Sequence, residues 1–404
     1  MKRKICFVVQ RYGLEVNGGA ELLCREIAEK MTKFYEVHVL TTKAIDYDTW
    51  ANRYLNDEEV INKVVVHRFP VEKERNQREF DNINGLFLQG GLTTLREDEW
   101  LKKQGPYVPK LIEYLRDHKI NFDVFLFFTY LYYPTVVGVP EVQDRAIVFP
   151  LCHDEPFLRM SIYRNVFCRP KAFFFNMEQE RKLVRHCFHN YSIPALIGGA
   201  GVDLPPNIDS HRFYTKFQVQ NYIIYVGRID EGKNCSEMFD FFLRYKKQYP
   251  SDLKLVLVGK PMMKIPKDKD IISLGFVSDQ EKYDGIDGAK FLLLPSIYES
   301  LSIVVLEALS LKKPVLLNGK CEVLKAHIEG SKAGYFYSSY DDFSARMTSL
   351  LSDKELRISM GESGKRYVDT NFKWSVILRK LNMLIEYVVS SNTIETSYEK
   401  SSMI

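Results

Sequence analysis

Residues 291–314 restrict the fold more than any other stretch of this chain. Phe291 to Leu294 is a short apolar run that Pro295 stops, which predicts a buried strand. A loop of small residues follows, and then a helix from about Leu301 to Leu311, closed by Pro314. Ile303, Val304, Val305, Leu306, Ala308, Leu309 and Leu311 put apolar groups on nearly every side of that helix, so it should be buried. Glu307 nevertheless stands in its middle, and Glu299 lies in the loop ahead of it. A lone buried carboxylate is costly unless something hydrogen-bonds to it. Two arrangements meet that requirement. Either the helix N-terminus faces an anionic, hydroxyl-rich ligand whose hydroxyls donate to the glutamates, or Glu307 pairs with a backbone or basic group inside the protein.

The same order of strand, loop and helix recurs along the chain. Ile5 to Val9, Asp123 to Phe128, Ala146 to Pro150, Tyr222 to Val226 and Leu253 to Val258 are apolar runs of the kind found in parallel sheets buried on both faces. Glu36 to Thr41, Val64 to Phe69, Ile271 to Val277 and Pro314 to Leu317 complete the expected strands. A length of 404 residues suits two α/β domains. Pro205 and Pro206 open a polar linker, so the first domain is expected over residues 1–204 and the second over 220–375. A last helix from Trp374 to Val389, its 376–390 part crossing back to the first domain, and a frayed tail at 391–404 close the chain. Residues 72–106 are charged and irregular, with Gly90-Gly91 and Gly105-Pro106 as breakers, and are expected to form a loop-and-helix excursion.

The net charge of +4 is too small to point to a nucleic-acid partner. Seven scattered cysteines without a C-x-x-C pair suit free thiols in a reducing compartment. The N-terminal apolar run is too short for a signal peptide, and no stretch approaches the length of a membrane span. A cytoplasmic protein is expected.

Several clusters carry chemistry. Gly18 and Gly19 sit between the first strand and a helix from Leu22 to Met31, a geometry that brings backbone N–H groups against a phosphate or simply makes a tight turn. The spacing is not G-x-G-x-x-G, which argues against a nicotinamide or flavin cofactor. Asp46-Tyr47-Asp48 is formally a metal-binding D-x-D but lies in a polar loop and reads as solvated. Thr129 to Pro134 is an aromatic cluster at a strand end, suited equally to sugar stacking and to capping the core. His153, with Asp154 and Glu155, follows the strand ending at Pro150, where a histidine can move protons or orient hydroxyls, or can simply hydrogen-bond across the loop, which is the default reading. His186 and His189 flank Cys187 without a further ligand pair, so no metal site is expected there. Arg159 to Lys171 mixes basic and aromatic residues and reads first as a surface helix packed by its aromatic face, with contact to an anionic membrane as the second reading. Arg228 and Lys233 stand five apart after a clean strand, where two basic residues are either solvated or able to converge on one diphosphate.

Taken together, Glu299 and Glu307 in the context Pro-Ser-x-Tyr-Glu-Ser-x-Ser and Glu-Ala-Leu, the Gly18-Gly19-Ala20-Glu21 turn, and the Gly-Arg…Lys element at Arg228 and Lys233 resemble retaining glycosyltransferases of family 4. The resemblance covers nearly the whole chain, is most specific over residues 222–318 and is absent over roughly 72–106. It implies the GT-B architecture of two Rossmann-like domains facing a central cleft. It also implies sugar transfer from a nucleotide diphosphate sugar to an acceptor hydroxyl, with no cofactor and no metal. In such a protein Arg228, Lys233 and the helix N-terminus at Ser300, Leu301 and Ser302 face the donor phosphates. The backbone at Val277 faces the base, Glu307 the ribose and Glu299 the donor sugar. Gly18 and Gly19 approach the diphosphate and acceptor, and His153 the sugar near its reacting carbon. The 72–106 excursion lies on the acceptor side. A carbohydrate or lipid-linked acceptor is the expected partner, with peripheral contact to the inner face of a membrane as an adjunct. Asn318 to Leu324 departs from the family's usual Gly-Gly-x-x-Glu turn. A nucleotide-sugar epimerase on the same fold and a non-catalytic sugar-nucleotide scaffold are the alternatives.

Overall fold

A computed structural model describes residues 2–16, 18–90 and 93–401. Gly91, one of the expected breakers, lies outside the described residues. The chain divides into two compact units, one of residues up to Gly198 and from Leu378 onward, the other of Gly199–Ile377. Both are α/β, as the alternation of apolar runs and helices predicts.

The first unit contains β1 (Lys4–Val8), β2 (Glu36–Thr42), β3 (Glu58–Ile61), β4 (Val64–Phe69), β5 (Val124–Phe128), β6 (Ala146–Phe149), β7 (Ala172–Phe175) and β8 (Ala195–Ile197). They form one sheet in the order β3-β4-β2-β1-β5-β6-β7-β8. β1 lies between β2 and β5, with Ile5 opposite Val37 on one side and Val124 on the other, both parallel. β3 runs antiparallel to β4 at the edge. Its sequence is too polar to be read as a strand, because only one of its faces meets the sheet. β1 and β5 are buried along almost their whole length, which is why they are unbroken apolar runs.

The second unit contains β9 (Tyr222–Val226), β10 (Lys254–Val258), β11 (Ile271–Ser273), β12 (Leu292–Leu294), β13 (Val315–Asn318) and β14 (Gly334–Tyr337). The order is β11-β10-β9-β12-β13-β14, and every pairing is parallel. β11 stops well short of the expected Val277, since Gly275 turns at φ +67.

Helices cover the sheets. Tyr133–Glu141 is helical despite two prolines, Pro134 lying in its first turn, where a missing N–H costs nothing. The last helix, Trp374–Ser401, runs past the expected end at Val389. Its Lys380 Nζ donates to the Ile197 carbonyl (2.8 Å), and its Asn382 accepts from the Tyr35 hydroxyl (2.6 Å), all within the first unit. Residues 402–404 of the expected tail lie outside the described residues. The excursion over 72–106 holds helices Gln77–Leu88 and Glu97–Gln104. Arg159 to Lys171 is not one surface helix but a run of short turns, and its Tyr163 and Phe167 are fully buried rather than offered to a membrane.

Candidate functional site

In an open α/β sheet, ligands collect where the strand order reverses, at the carboxyl ends of the two strands leading away from that point. In the second unit the reversal falls between β9 and β12. The loops after those strands are Gly227 to Asn234 and Pro295 to Ser302, which carry Arg228, Lys233 and Glu299.

These two loops are tied together. Lys233 Nζ lies 2.7 Å from Glu299 Oε1, with their side chains 27% and 12% exposed. The Lys233 N–H donates to Asp230 Oδ1 (2.8 Å), and Arg228 Nε lies 3.5 Å from Asp230 Oδ2. Asn234 and Asn318 both donate their amides to the Pro295 carbonyl (3.2 and 3.0 Å), which fixes the start of the Glu299 loop. The first loop leaves the sheet through Gly227, and a Cβ on Gly259 would stand 1.9 Å from the Gly227 carbonyl. Only glycine permits that backbone approach.

The Glu299 loop ends at Ser302, held at φ +64, which caps the helix Ile303–Ser310. Ser302 is buried, and among the described residues its Oγ has no hydrogen-bond partner. The helix thus begins, on the loop that carries Glu299, with an unsatisfied hydroxyl beside the N–H groups of its first turn. Ser300 and Leu301 precede it, Leu301 buried and Ser300 half-buried.

Glu307 is buried at 6% exposure, as the helix pattern requires. It has protein partners. Its Oε1 accepts from Lys282 Nζ and from the Tyr283 hydroxyl, each at 2.8 Å. Burial pulls the Lys282 ammonium down, yet the Glu307 carboxylate outweighs it and holds the group above its ordinary value. Lys282 and Tyr283 belong to the helix Asp279–Gly288, which Ser278 and Glu281 start with a capping box. Val277, half-buried, immediately precedes that cap. The pattern Ser278-x-x-Glu281 is a helix start readable in the sequence, and reading it would have placed a lysine and a tyrosine on the first turns of the helix that meets Glu307.

His327 is a second residue missed. It is fully buried, with Nε2 2.6 Å from the Leu301 carbonyl and Nδ1 3.2 Å from the Tyr367 hydroxyl. A carbonyl only accepts, so Nε2 carries the proton and Nδ1 accepts from Tyr367. Burial lowers its pKa to about 4, which keeps the ring neutral in that role. His327 therefore fixes the loop at the helix N-terminus from beneath.

In the first unit, Gly18 precedes the helix Gly19–Met31 with extended backbone. Its side is not open: a Cβ there would meet Glu21 Oε2 at 2.2 Å. Glu21 is buried, and its Oε1 accepts from Gln10 Nε2 (2.9 Å), Arg11 Nε (2.9 Å) and Arg11 Nη2 (2.6 Å). Gly19 by contrast has nothing within 4 Å of where a Cβ would stand. A carboxylate thus already occupies the Gly18 side of the turn, and the open space is at Gly19.

His153 follows β6 through Leu151, held in the left-handed region at φ +54. Its Nε2 lies 3.4 Å from Glu155 Oε2, while the Tyr130 hydroxyl donates to Glu155 Oε1. Burial alone would raise Glu155, but His153 and Tyr130 outweigh it and leave the carboxyl below its usual range. Tyr130 and Tyr133 are buried, so these two tyrosines cap the core edge rather than offering faces to a sugar. Beneath this loop, Glu180 Oε1 accepts the Cys152 N–H (2.9 Å) and its Oε2 the Asn176 N–H (2.7 Å). Asp46 accepts from the Thr49 N–H and hydroxyl, an ordinary loop turn.

Arg228, Lys233, Glu299 and Ser302 thus gather around one switch point, and Glu307 joins the segment after Val277 to the same helix. His153 and the glycine pair lie after β6 and β1, with β5 between those strands.

Two α/β units, one on a wholly parallel sheet and one on a sheet parallel but for its edge strand β3, give the chain a GT-B-type fold. Over 96% of the chain the structure is similar to a sucrose-phosphate synthase of Thermosynechococcus elongatus, covering all of that chain at 15% identity and a TM-score of 0.72. An Anabaena protein, HepE, solved with UDP and glucose, is similar over 95% of this chain and all of its own, at 14% identity and a TM-score of 0.70. Residues 207–367, which lie within the second unit, match the family of glycosyl transferases group 1. CapM, a capsular polysaccharide biosynthesis glycosyltransferase of Staphylococcus aureus, is 23% identical over 186 residues, 42% of this chain and 47% of its own. An N-acetylgalactosaminyltransferase of Campylobacter jejuni that acts on a diphospho-undecaprenol is 30% identical over 98 residues, 22% of this chain and 25% of its own. The matched stretches therefore span about half and a quarter of these two relatives.

Proposed function

We propose that the chain is a retaining, metal-independent glycosyltransferase that moves a sugar from a nucleotide diphosphate sugar to an acceptor hydroxyl, in the making of a polysaccharide or glycolipid. The observation that carries this reading is the unsatisfied buried Ser302 hydroxyl at a helix N-terminus, on the loop that pairs Glu299 with Lys233, inside a group 1 domain. Phosphate oxygens fit first-turn N–H groups, that hydroxyl and two cations. Lys233 has three donor protons and serves Glu299 and a phosphate together. Arg228 and Lys233 neutralise the departing diphosphate without a metal. Glu299 takes the donor-sugar hydroxyls, and Val277 approaches the base through its backbone. Glu307 keeps Oε2 for the ribose, because Lys282 and Tyr283 both use Oε1. Gly18 and Gly19 are assigned to the diphosphate and acceptor, and His153 to the sugar near its reacting carbon. The acceptor oxygen bonds to the anomeric carbon on the face from which the phosphate leaves, and its proton passes to the leaving phosphate oxygen.

The relatives' names point to a carbohydrate or lipid-linked acceptor. Incubation with a panel of UDP- and GDP-sugars and with oligosaccharide and polyprenyl-diphosphate acceptors, with and without a chelator, tests the reading. Transfer with the donor's anomeric configuration, unaffected by chelation, is expected. An inverted product or a chelator-dead enzyme overturns the corresponding part. Sugar epimerised without an acceptor, or nucleotide bound without turnover, would replace the reading with an epimerase or a scaffold.

A further inference from the structure

We propose that Glu180 is a positioning residue for the His153 loop, one buried carboxylate that clamps the carboxyl ends of β6 and β7 together. Glu180 is 2% exposed and stands in the first turn of the helix Glu178–Phe188. One of its oxygens takes the Cys152 N–H from the loop after β6, the other the Asn176 N–H from the loop after β7. The Leu151 N–H and the Cys152 thiol add to the donors around it. Leu151 is in the left-handed region, which a leucine adopts only when its surroundings impose it. His153 comes two residues later and reaches Glu155, itself held by Tyr130. The histidine is therefore suspended between two fixed points, Glu180 before it and Glu155 after it.

The clamp works through the ionised carboxylate. Every group around Glu180 is a donor, and a carboxylate offers only acceptor positions. A protonated glutamate, or a glutamine, must turn a donor against donors. Burial pushes Glu180 up to about 7, against the pull of the N–H groups. The titratable groups facing it are Cys152, whose buried thiol is pushed well up, with Glu155 and His153 further along the loop. As pH falls through about 7 the clamp loosens and turnover drops. Stability moves the other way. The folded pKa lies above the ordinary 4.5, so this group's contribution is fully present below 4.5 and is lost as pH rises towards 7. A side chain that merely filled the core would give the stability trend through its burial, but not the loss of turnover.

The rate readout rests on the transferase reading given above. Glu180→Gln should lower kcat by about tenfold or more, with donor KM within about twofold, and should flatten the acid limb of the kcat profile. Wild-type kcat with an unchanged profile would overturn the proposal. Should that variant not fold, the wild-type amide resonances of Cys152 and Asn176 decide: donating to one carboxylate, they must titrate with a common midpoint near pH 7. Separate midpoints, or none, overturn the clamp. A common midpoint in a protein that transfers no sugar supports the clamp and removes only the transferase reading.

Discussion

Replacing Glu307 by glutamine and by alanine separates two roles that the structure superimposes. The side chain is 7% exposed, and its Oε1 holds Lys282 and Tyr283 at 2.8 Å each. Glutamine keeps the volume and an acceptor oxygen for both partners. Its amide cannot flip, because the NH2 would then face the Lys282 ammonium. The change converts a charge-assisted hydrogen bond to a neutral one, a loss of about 1 kcal/mol. The NH2 group falls where Oε2 was, so ribose hydroxyls meet a donor in place of an ionic acceptor. Losing one or two such bonds is worth about 2–4 kcal/mol, or roughly 30- to 700-fold in nucleotide affinity. Alanine adds a different defect, since it strands the Lys282 ammonium, whose side chain is 19% exposed. Breaking a buried pair costs about 3–5 kcal/mol, and Asp279, 3.3 Å from Lys282, keeps the loss near the lower bound. For a unit of this size about 3 kcal/mol lowers Tm by roughly 6–12 °C. Calorimetric titration with UDP and GDP, beside thermal melts, reads both. Glu307→Gln should melt within a few degrees of wild type and bind its nucleotide far more weakly. If it binds within about twofold while Glu307→Ala melts early, Glu307 is a structural partner of Lys282 and the ribose assignment is wrong.

Lys233→Ala removes the cation from Glu299 and from the assigned phosphate, and should cut kcat by about 10²- to 10³-fold. Its Tm should change little because the pair is partly exposed, and a kcat/KM within threefold of wild type would refute the phosphate role. Gly18→Ala forces a Cβ to 2.2 Å from Glu21 Oε2 and should cost about 1–3 kcal/mol in urea unfolding. Gly19→Ala meets no neighbour within 4 Å and should hold or raise stability while slowing turnover; full activity would show that no ligand uses that space. His327 is depressed from its ordinary 6.5 to about 4, so the stability it protects is fully present above pH 6.5 and is lost as pH falls towards 4. At most this is about 3 kcal/mol. Between pH 7.5 and 4.5 the urea midpoint of wild type should lose ground relative to that of His327→Phe; parallel curves would remove the neutral-donor role.

What could be read from the sequence was whatever is local. β4 and β9 have the bounds their hydrophobic patterns predict. Arg228, Lys233 and Glu299 could be singled out because each sits directly after a buried strand, where chain direction alone puts it at the ligand end of the sheet. Partners far along the chain could not be read. The Lys282 and Tyr283 contacts to Glu307, the asparagines on Pro295 and the His327 bond to Leu301 all join different elements, and spacing carries no record of them. The helix Ser210–Phe217 was hidden inside what reads as a polar linker, since only Phe213 is buried along it.

The buried glutamates make the missing rule explicit. Glu307 attracted notice as a carboxylate inside an apolar helix. Glu180 has the same signature, for it shares one helix face with Val184 and Phe188 at intervals of four, and all three are buried. Glu21 repeats it with Cys24 and Ala28. Each acid lies on a buried face of its helix, and each is paired. Glu180 and Glu21 take donors from segments that leave strand ends, and Glu307 takes them from a helix that follows one. An acid on the apolar face of a helix that follows a β-strand therefore marks a loop held for a purpose. The helical period brought out Glu307 in this chain, and the same period applied to the helices after β1 and β7 finds Glu21 and Glu180.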